Sequence, residues 1–301
     1  MGKRERLGRP LLDCVSVRFE DARPVRPFRW PPGGRYFPGW YWAATTRQHV
    51  GFESWLERDR LVLMDFDPAV VGVASQPFWL HWHDGTRERR HAPDFFLRRA
   101  DGSAMVVDVR ADDCIAPRDA EAFEVTRRAC AEAGWGFERV GTPETVLLAN
   151  VRWLSRYRHP RCRQHPVAAR LMEISSQPGP LMAGADSVGD RLATLPVLFH
   201  LLWQQELSAE GMAVELLGPR TVVRLAGGGA GWRRRGGGFR RLPGSWSSPR
   251  RLLTRPVGGR GTSWRYCMVC RRMLPKGRCR GRSSTPGCTR WPNASGPRRP
   301  S

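Results

Sequence analysis

The stretch from residue 91 to residue 113, HAPDFFLRRADGSAMVVDVRADD, restricts the possible folds of this chain more than any other. Two apolar runs, residues 95–97 and 105–107, lie on either side of Asp101-Gly102. An Asp-Gly pair between two apolar runs is a strong signal for a tight hairpin turn. The sequence therefore predicts two buried antiparallel strands that are joined at this turn.

Further elements on both sides of the hairpin predict a sheet between helices. Residues 51–64 place Phe52, Trp55, Leu56, Val62 and Leu63 on one helical face, and residues 117–133 and 144–157 are also predicted helices. The runs VVGVAS (70–75), PFWLHWH (77–83) and WGFERV (135–140) are predicted strands. This order is typical of an α/β fold with a mixed sheet flanked by helices, which we expect over residues 49–159.

The remaining regions are predicted to differ from this α/β domain. Residues 1–48 are rich in arginine, proline and aromatic residues, and we expect an extended arm with short strands. Residues 160–225 are interpreted as a linker and a small helical or winged-helix module, with an apolar helical segment at 188–207 that is interrupted at Pro196. Residues 226–301, dominated by Arg, Gly, Pro and Ser, are predicted to be a disordered basic tail.

Almost all of the net positive charge of the chain lies in its C-terminal part. The sequence has 50 Lys+Arg and 28 Asp+Glu, a net charge of +22. The last acidic residue is Glu215, and residues 216–301 contain 21 basic residues, which leaves 29 basic and 28 acidic residues in 1–215, a net of +1. The basic composition is therefore weak support for nucleic-acid binding by the folded part. No stretch approaches the length of a membrane span and no apolar leader follows the basic N-terminus, so we expect a soluble cytoplasmic protein.

Two aspartates lie at the ends of the predicted hairpin strands. Asp94 opens the first strand, Asp108 lies near the end of the second, and 13 residues separate them. Since the strands are antiparallel, the two carboxylates can meet at one end of the sheet. Two carboxylates, with a third from the helix at 51–64, form a hard-oxygen site for Mg²⁺ or Mn²⁺. Both Glu53 and Glu57 of that helix could provide the third.

These residues resemble the PD-(D/E)xK nuclease superfamily, through Pro93-Asp94 followed by Asp108-Val109-Arg110. Residues 40–160 are similar, more narrowly, to the TnsA-like endonuclease subunit of heteromeric transposases. The shared features are the Ser-x-x-Glu helix, the phrase FDPxV, the QP before a strand, and PDF. The resemblance implies a restriction-endonuclease-like fold. It assigns the helix carboxylate to Glu57, the metal aspartate to Asp94, the Glu/Gln position to Asp108 and the lysine position to Arg110.

The resemblance also implies an activity and partners. It predicts a Mg²⁺-dependent endonuclease that cuts one DNA strand at each transposon end, together with an integrase-type transposase subunit and a regulatory ATPase. Arg110 departs from the family pattern, and the only lysines, Lys3 and Lys276, lie outside the predicted α/β domain. Because the pKa of arginine exceeds about 12, it cannot act as a base, so we assign Arg110 to electrostatic stabilisation of the phosphate.

Two other functions remain open. The chain could be a non-catalytic DNA-binding or assembly subunit that keeps the nuclease fold, or a free-standing restriction or repair nuclease. No alternative catalytic set is present: the sequence lacks a G-x-S-x-G elbow, a Walker loop, and a G-x-G-x-x-G motif after a strand.

Several residues near these motifs are interpreted as structural. We expect Asp112 and Asp113 to be exposed loop charges, and a strand-end role for Gln76 is as well supported as a functional one. The histidines and tryptophans of this region are predicted to be ordinary surface or core residues: His81, His83, His91, Trp40, Trp42, Trp79 and Trp82. In the tail, the spacing of Cys267, Cys270, Cys279 and Cys288 is not that of a standard zinc site, and these residues are interpreted as free thiols. The absence of Asp and Glu after Glu215 suggests that the tail is an out-of-frame reading of GC-rich coding DNA.

Overall fold

A computed structural model describes residues 9–28, 37–227 and 267–269. The first part of the chain contains β1 (Arg9–Pro10), β2 (Gly39–Ala43), β3 (Gln48–Phe52), α1 (Trp55–Phe66), β4 (Val70–Ser75), β5 (Trp79–His83), β6 (Glu88–His91), β7 (Phe95–Arg99), β8 (Ala104–Val109), α2 (Pro117–Glu132), β9 (Gly136–Val140) and α3 (Thr145–Leu154). The second part contains α4 (His165–Ile174), β10 (Gly179–Pro180), α5 (Leu181–Val188), α6 (Arg191–Trp203), β11 (Leu207–Ala209), β12 (Val222–Leu225) and β13 (Cys267–Val269).

The central sheet has four strands in the order β4-β7-β8-β9. β7 is antiparallel to both β4 and β8, and β9 is parallel to β8. The predicted hairpin is confirmed: Phe95 pairs with Val107 and Leu97 pairs with Met105, and Gly102 adopts a φ of +82° in the turn. The sheet is therefore mixed, as the sequence predicts.

Both faces of the sheet are covered, because its strands are apolar on both sides. Phe95 and Val107 belong to a core cluster on the face of α1 and α3, whereas Phe96 and Val106 belong to a second cluster that includes Val125 and other residues of α2. Successive strand residues point to opposite faces, so this alternation follows from the pleat. The mixed α/β sheet flanked by helices is thereby confirmed.

The first helix begins later than its apolar pattern predicts. Gly51 and Phe52 belong to β3, and α1 starts at Trp55, because Ser54 accepts a hydrogen bond from the Glu57 N–H and caps the helix. Trp55, predicted on the buried face, is 50% exposed. The prediction of a helix over 51–64 was therefore wrong at its start.

A second four-stranded sheet has the order β1-β13-β5-β6. The β5–β6 hairpin lies between β4 and β7 in the chain, and β13 pairs with β5 and with β1. Residues 267–269 of the predicted tail thus form a strand. Cys270, Cys279 and Cys288, together with the rest of the predicted disordered tail beyond Gly227, lie outside the described residues.

The C-terminal module is built from α4, α5, α6 and a three-stranded sheet of order β10-β12-β11. This sequence of helix, strand, two helices and two strands is the layout of a winged helix. Pro196 lies inside α6 and does not interrupt it, contrary to the expectation. Its ring removes one N–H from the helix ladder, and the residue four positions earlier, Leu192, is 85% exposed, so water can replace the missing donor. No helix in the described parts of the chain is long and apolar enough to cross a membrane.

Candidate active site

Asp94 and Asp108 meet where β7 begins and β8 ends. The Asp94 N–H donates to Oδ1 of Asp108 over 3.3 Å, and Oδ2 of Asp94 accepts a 2.7 Å hydrogen bond from the Val109 N–H. Asp94 also accepts, through its carbonyl, the N–H of Gln76 at the end of β4. The antiparallel pairing of β7 with β8 thus brings the two aspartates together.

The Asp94 carboxyl is in an environment that opposes its ionisation. Burial is the main reason why its pKa lies well above the ordinary value, and the negative charges of Glu57 and Asp108 raise this pKa further. The Val109 hydrogen bond and the charge of Arg26 lower it. Glu57 and Asp108 are therefore each close enough to repel the charge of Asp94.

Glu57 approaches this cluster from the first turn of α1. Its Oε2 accepts a 2.7 Å hydrogen bond from the Glu53 N–H, and its Oε1 accepts one of 3.0 Å from the Ser54 hydroxyl. With the Glu57 N–H bonded to Ser54 Oγ, this is a variant of the capping box, in which the glutamate accepts the N–H of the residue before the N-cap. Burial raises the pKa of Glu57, and the bonds from Glu53 and Ser54 oppose that rise. Both carboxylate oxygens therefore also serve the helix terminus.

The alternative glutamate, Glu53, has a different partner. Its two carboxylate oxygens accept hydrogen bonds of 2.7 and 2.6 Å from the guanidinium of Arg26. Of the two glutamates, Glu57 is the one whose charge raises the pKa of Asp94. The geometry therefore agrees with Glu57 as the helix carboxylate of the cluster.

His91 is the site residue that sequence reasoning missed. Its Nε2 lies 2.9 Å from each carboxylate oxygen of Asp108, which is only 1% exposed, and its ring meets the edge of Phe123 in α2. The prediction of an ordinary histidine did not anticipate this contact. The signal was weak, because the contact depends on β6, which pairs His91 with Leu80 of β5.

Arg110 does not join the carboxylates. Its Nη2 lies 3.3 Å from Oδ2 of Asp119 in the first turn of α2, and its buried Nε has no hydrogen-bond partner among the described residues. The charge that lowers the pKa of both Asp94 and Glu57 belongs to Arg26. Arg26 belongs to the N-terminal arm, and its guanidinium bonds to Glu53 beside the cluster.

The remaining singled-out residues are distributed around the cluster. Gln76 is 1% exposed with a φ of +45°, and neither polar atom of its side-chain amide has a partner among the described residues. Asp112 forms an exposed ion pair with Arg139, and Asp113 is also exposed. His83 accepts the Gly85 N–H in a turn and His81 is half-buried. Trp82 lies in the core, Trp42 and Trp79 are half-buried, and Trp40, 52% exposed, does not fit the expectation of a core residue.

The oxygen ligands of the cluster are of the type that a hard cation prefers, but they are not arranged around a common point. Asp94 and Asp108 offer oxygen ligands of the kind that Mg²⁺ and Mn²⁺ prefer, and a cation would relieve their mutual repulsion. Each carboxylate oxygen of Glu57 already accepts one hydrogen bond at the helix cap and keeps a second lone pair for a cation. Among residues 9–28, 37–227 and 267–269, no group of three or more His, Cys, Asp or Glu side chains is positioned to hold a metal ion.

Comparisons with known proteins add no family to this description. No protein-family model matches the sequence, and a search of curated proteins finds no match.

Proposed function

We propose that this chain is a metal-dependent DNA endonuclease, the TnsA-like strand-cutting subunit of a heteromeric transposase. In this proposal it hydrolyses a phosphodiester on one strand at transposon ends, with an integrase-type subunit and a regulatory ATPase as partners. The observation that carries the proposal is the carboxylate cluster of Glu57, Asp94 and Asp108. Asp108 is buried, and Asp94 and Glu57 are half-buried. Like charges held close together away from water are costly, and they occur mainly where a function requires them.

The order of the elements around the cluster supports the same proposal. α1, three antiparallel strands (β4, β7 and β8), α2 and the parallel strand β9 follow one another, with the β5–β6 hairpin inserted. This is the αβββαβ order of PD-(D/E)xK nucleases, in which the carboxylates lie at the same positions. The likeness concerns topology, and the choice of DNA as substrate rests on the resemblance in sequence.

Each residue of the cluster has a role in the proposal. Asp94 and Asp108 would hold Mg²⁺ or Mn²⁺, with Glu57 as a third ligand through the free lone pairs of its carboxylate. The bound ion would polarise the phosphodiester and lower the pKa of a water molecule. The Val109 N–H orients Asp94, and the imidazole of His91 orients Asp108 and fixes its position.

A second candidate is a subunit that assembles on DNA without cutting it. The observations that favour it are the commitment of both Glu57 oxygens to the helix cap and the pairing of Arg110 with Asp119. A free-standing restriction or repair nuclease would have the same site as the first candidate and would differ only in its partners.

A nicking assay distinguishes cleavage from assembly. Supercoiled plasmid that carries transposon ends is incubated with the wild type, Asp94→Ala and Asp113→Ala, with Mg²⁺ or Mn²⁺ and with or without co-expressed partner subunits. Asp113 is an exposed aspartate five positions after Asp108 and provides the matched control. We expect nicking by the wild type and the Asp113 variant, and its loss in Asp94→Ala. Absence of metal-dependent nicking under all these conditions would favour the assembly subunit.

A further inference from the structure

The carboxylate cluster has a cation that the linear motif does not indicate. Arg110 turns toward Asp119 at the start of α2. Arg26, far away in the sequence, forms an ion pair with Glu53, whose N–H bonds to Glu57 of the cluster. The charge of Arg26 lowers the pKa of both Glu57 and Asp94. The contacts that hold the N-terminal arm against the α/β domain therefore determine the position of Arg26.

Two anchors fix the arm on either side of Arg26. On one side the Val25 N–H donates to the carbonyl of Gln76 over 2.9 Å, and the Gln76 N–H donates to the carbonyl of Asp94 over the same distance. On the other side Phe28 is 8% exposed and its ring lies 5.1 Å from that of Trp40. The arm is thus tied to Asp94 through a single intervening residue.

The second anchor depends on a glycine in β3. A Cβ atom at Gly51 would lie 2.1 Å from the ring of Phe28, so only glycine allows the arm to approach this closely. The backbone of the next residues, Glu53 and Ser54, leads directly into α1. The fit of Phe28 against Gly51 therefore positions Arg26 beside the N-terminus of α1.

The contacts of Arg26 leave it able to bind a ligand. Its Nη1 and Nη2 bond to Glu53, whose N–H bonds to Glu57, and its side chain is 36% exposed. A guanidinium has five N–H donors and can bond to more than one anion. A phosphate that reaches the carboxylates would therefore meet the exposed side of Arg26.

We propose that Arg26 is the residue that contacts the DNA phosphate at the Glu57–Asp94–Asp108 cluster, in the role that the linear motif assigns to Arg110. This inference rests on the proposed function and adds to it a residue from the N-terminal arm. Arg26 stabilises the negative charge that develops on the phosphate, and it does not transfer a proton.

The test compares five arginine and glutamate variants with the wild-type full-length chain. Arg26→Ala removes the guanidinium, Arg26→Lys keeps a charge, and Glu53→Gln breaks the ion pair while it leaves the guanidinium in place. Arg23→Ala removes an exposed arginine of the same arm and is the matched control. Arg110→Ala is measured for contrast. The readouts are the single-turnover nicking rate, the affinity for a short duplex with Ca²⁺ at several salt concentrations, and the thermal unfolding midpoint.

We expect Arg26→Ala to lower the nicking rate about 100-fold or more, the usual cost of losing one stabilising donor, and to flatten the salt dependence of binding by about one phosphate contact. Arg26→Lys should retain more activity than Arg26→Ala. Glu53→Gln should keep more than about a tenth of the wild-type rate, and Arg110→Ala should lose less than Arg26→Ala. Arg23→Ala should leave the rate unchanged.

Three results would overturn the inference. If Glu53→Gln and Arg26→Ala lose activity and unfolding temperature equally, Arg26 only anchors the arm. If Arg110→Ala loses more than Arg26→Ala, the linear motif identifies the phosphate ligand after all. If the wild type does not nick DNA, the proposed function fails, and the binding data alone test the inference. A flatter salt dependence of binding in Arg26→Ala, but not in Arg110→Ala, would support the role of Arg26. An equal salt dependence in both variants would contradict it.

Discussion

Asp94 has a carboxyl group that is costly to ionise in the folded protein. Its environment is largely withdrawn from water, and Glu57 and Asp108 add negative charge around it. A group whose pKa is raised on folding is most favourable to stability at a pH below its ordinary value. This contribution is lost as the pH rises through the raised pKa. At neutral pH, therefore, Asp94 opposes folding.

This electrostatic cost predicts that Asp94→Asn unfolds at a higher temperature than the wild type. Asparagine keeps an oxygen that can accept the Val109 N–H, and it removes the repulsion. We expect a gain of about 1 kcal/mol at pH 7, or about 2–4 °C in Tm, which becomes smaller as the pH approaches about 4. Thermal unfolding from pH 5 to pH 8 measures it.

The same pair of proteins tests for a bound cation without an activity assay. Mg²⁺ or Mn²⁺ that binds only the folded state should raise the Tm of the wild type with increasing concentration. The Asp94→Asn variant should respond much less. A variant that is less stable than the wild type at neutral pH, or an equal response of both proteins to metal, would contradict this account of Asp94.

At the scale of the element, the start of α1 combines a helix cap with the candidate ligand. Ser54 and Glu57 bond to each other at the helix start, and the charge of Glu57 also raises the pKa of Asp94. In the sequence, Gly51 and Phe52 continue an apolar pattern with helical spacing, which is why the predicted helix began too early. Pairing of β2 with β3 takes these two residues into a strand.

Two substitutions separate the cap from the ligand. Ser54→Ala removes the N-cap oxygen and should cost about 1 kcal/mol. Glu57→Gln keeps a side chain that serves a capping box, so its stability should lie within about 0.5 kcal/mol of the wild type or above it. Its nicking rate should nevertheless fall about 100-fold. Urea unfolding and the nicking assay provide the two measurements, and an equal loss of stability in both variants would show that the amide does not replace the carboxylate in the cap.

At the scale of the whole molecule, the α/β part and the C-terminal module share one apolar core. Leu154 of α3, Leu171 of α4 and Leu201 of α6 belong to the same cluster as the strand residues Phe95 and Val107. The side chain of Asn150 in α3, 2% exposed, forms three hydrogen bonds of 2.7–2.9 Å with the connection between β11 and β12. α6 is apolar around most of its circumference because it packs within this core.

Because the core is shared, a fragment of residues 1–159 should not fold by itself. It would expose the apolar side of α3 and lose the three hydrogen bonds of Asn150, each worth about 0.5–1.5 kcal/mol. We expect no cooperative urea transition and rapid proteolysis, in contrast to the full-length chain. A cooperative transition of the fragment, with a slope appropriate to its size, would indicate two independent domains instead.

The sequence by itself determined the features that depend on neighbouring residues. The Asp-Gly turn, the two apolar runs and the Pro117–Gly134 limits of α2 are local signals, and they predicted the hairpin, the helix and the meeting of Asp94 with Asp108. The resemblance to PD-(D/E)xK nucleases also pointed to Glu57, which lies beside Asp94 in the fold. Metal binding and cleavage remain predictions.

Only the tertiary structure decided which charged side chains meet at the cluster. His91 reaches Asp108 through the β5–β6 hairpin, and Arg26 reaches Glu53 because Phe28 packs against Gly51 and Trp40. Arg110, two residues from Asp108, turns away to α2. The physical reason is that the packing of apolar residues far apart in the sequence determines which charged side chain lies near a buried carboxylate. The residues next to that carboxylate in the sequence do not indicate this packing.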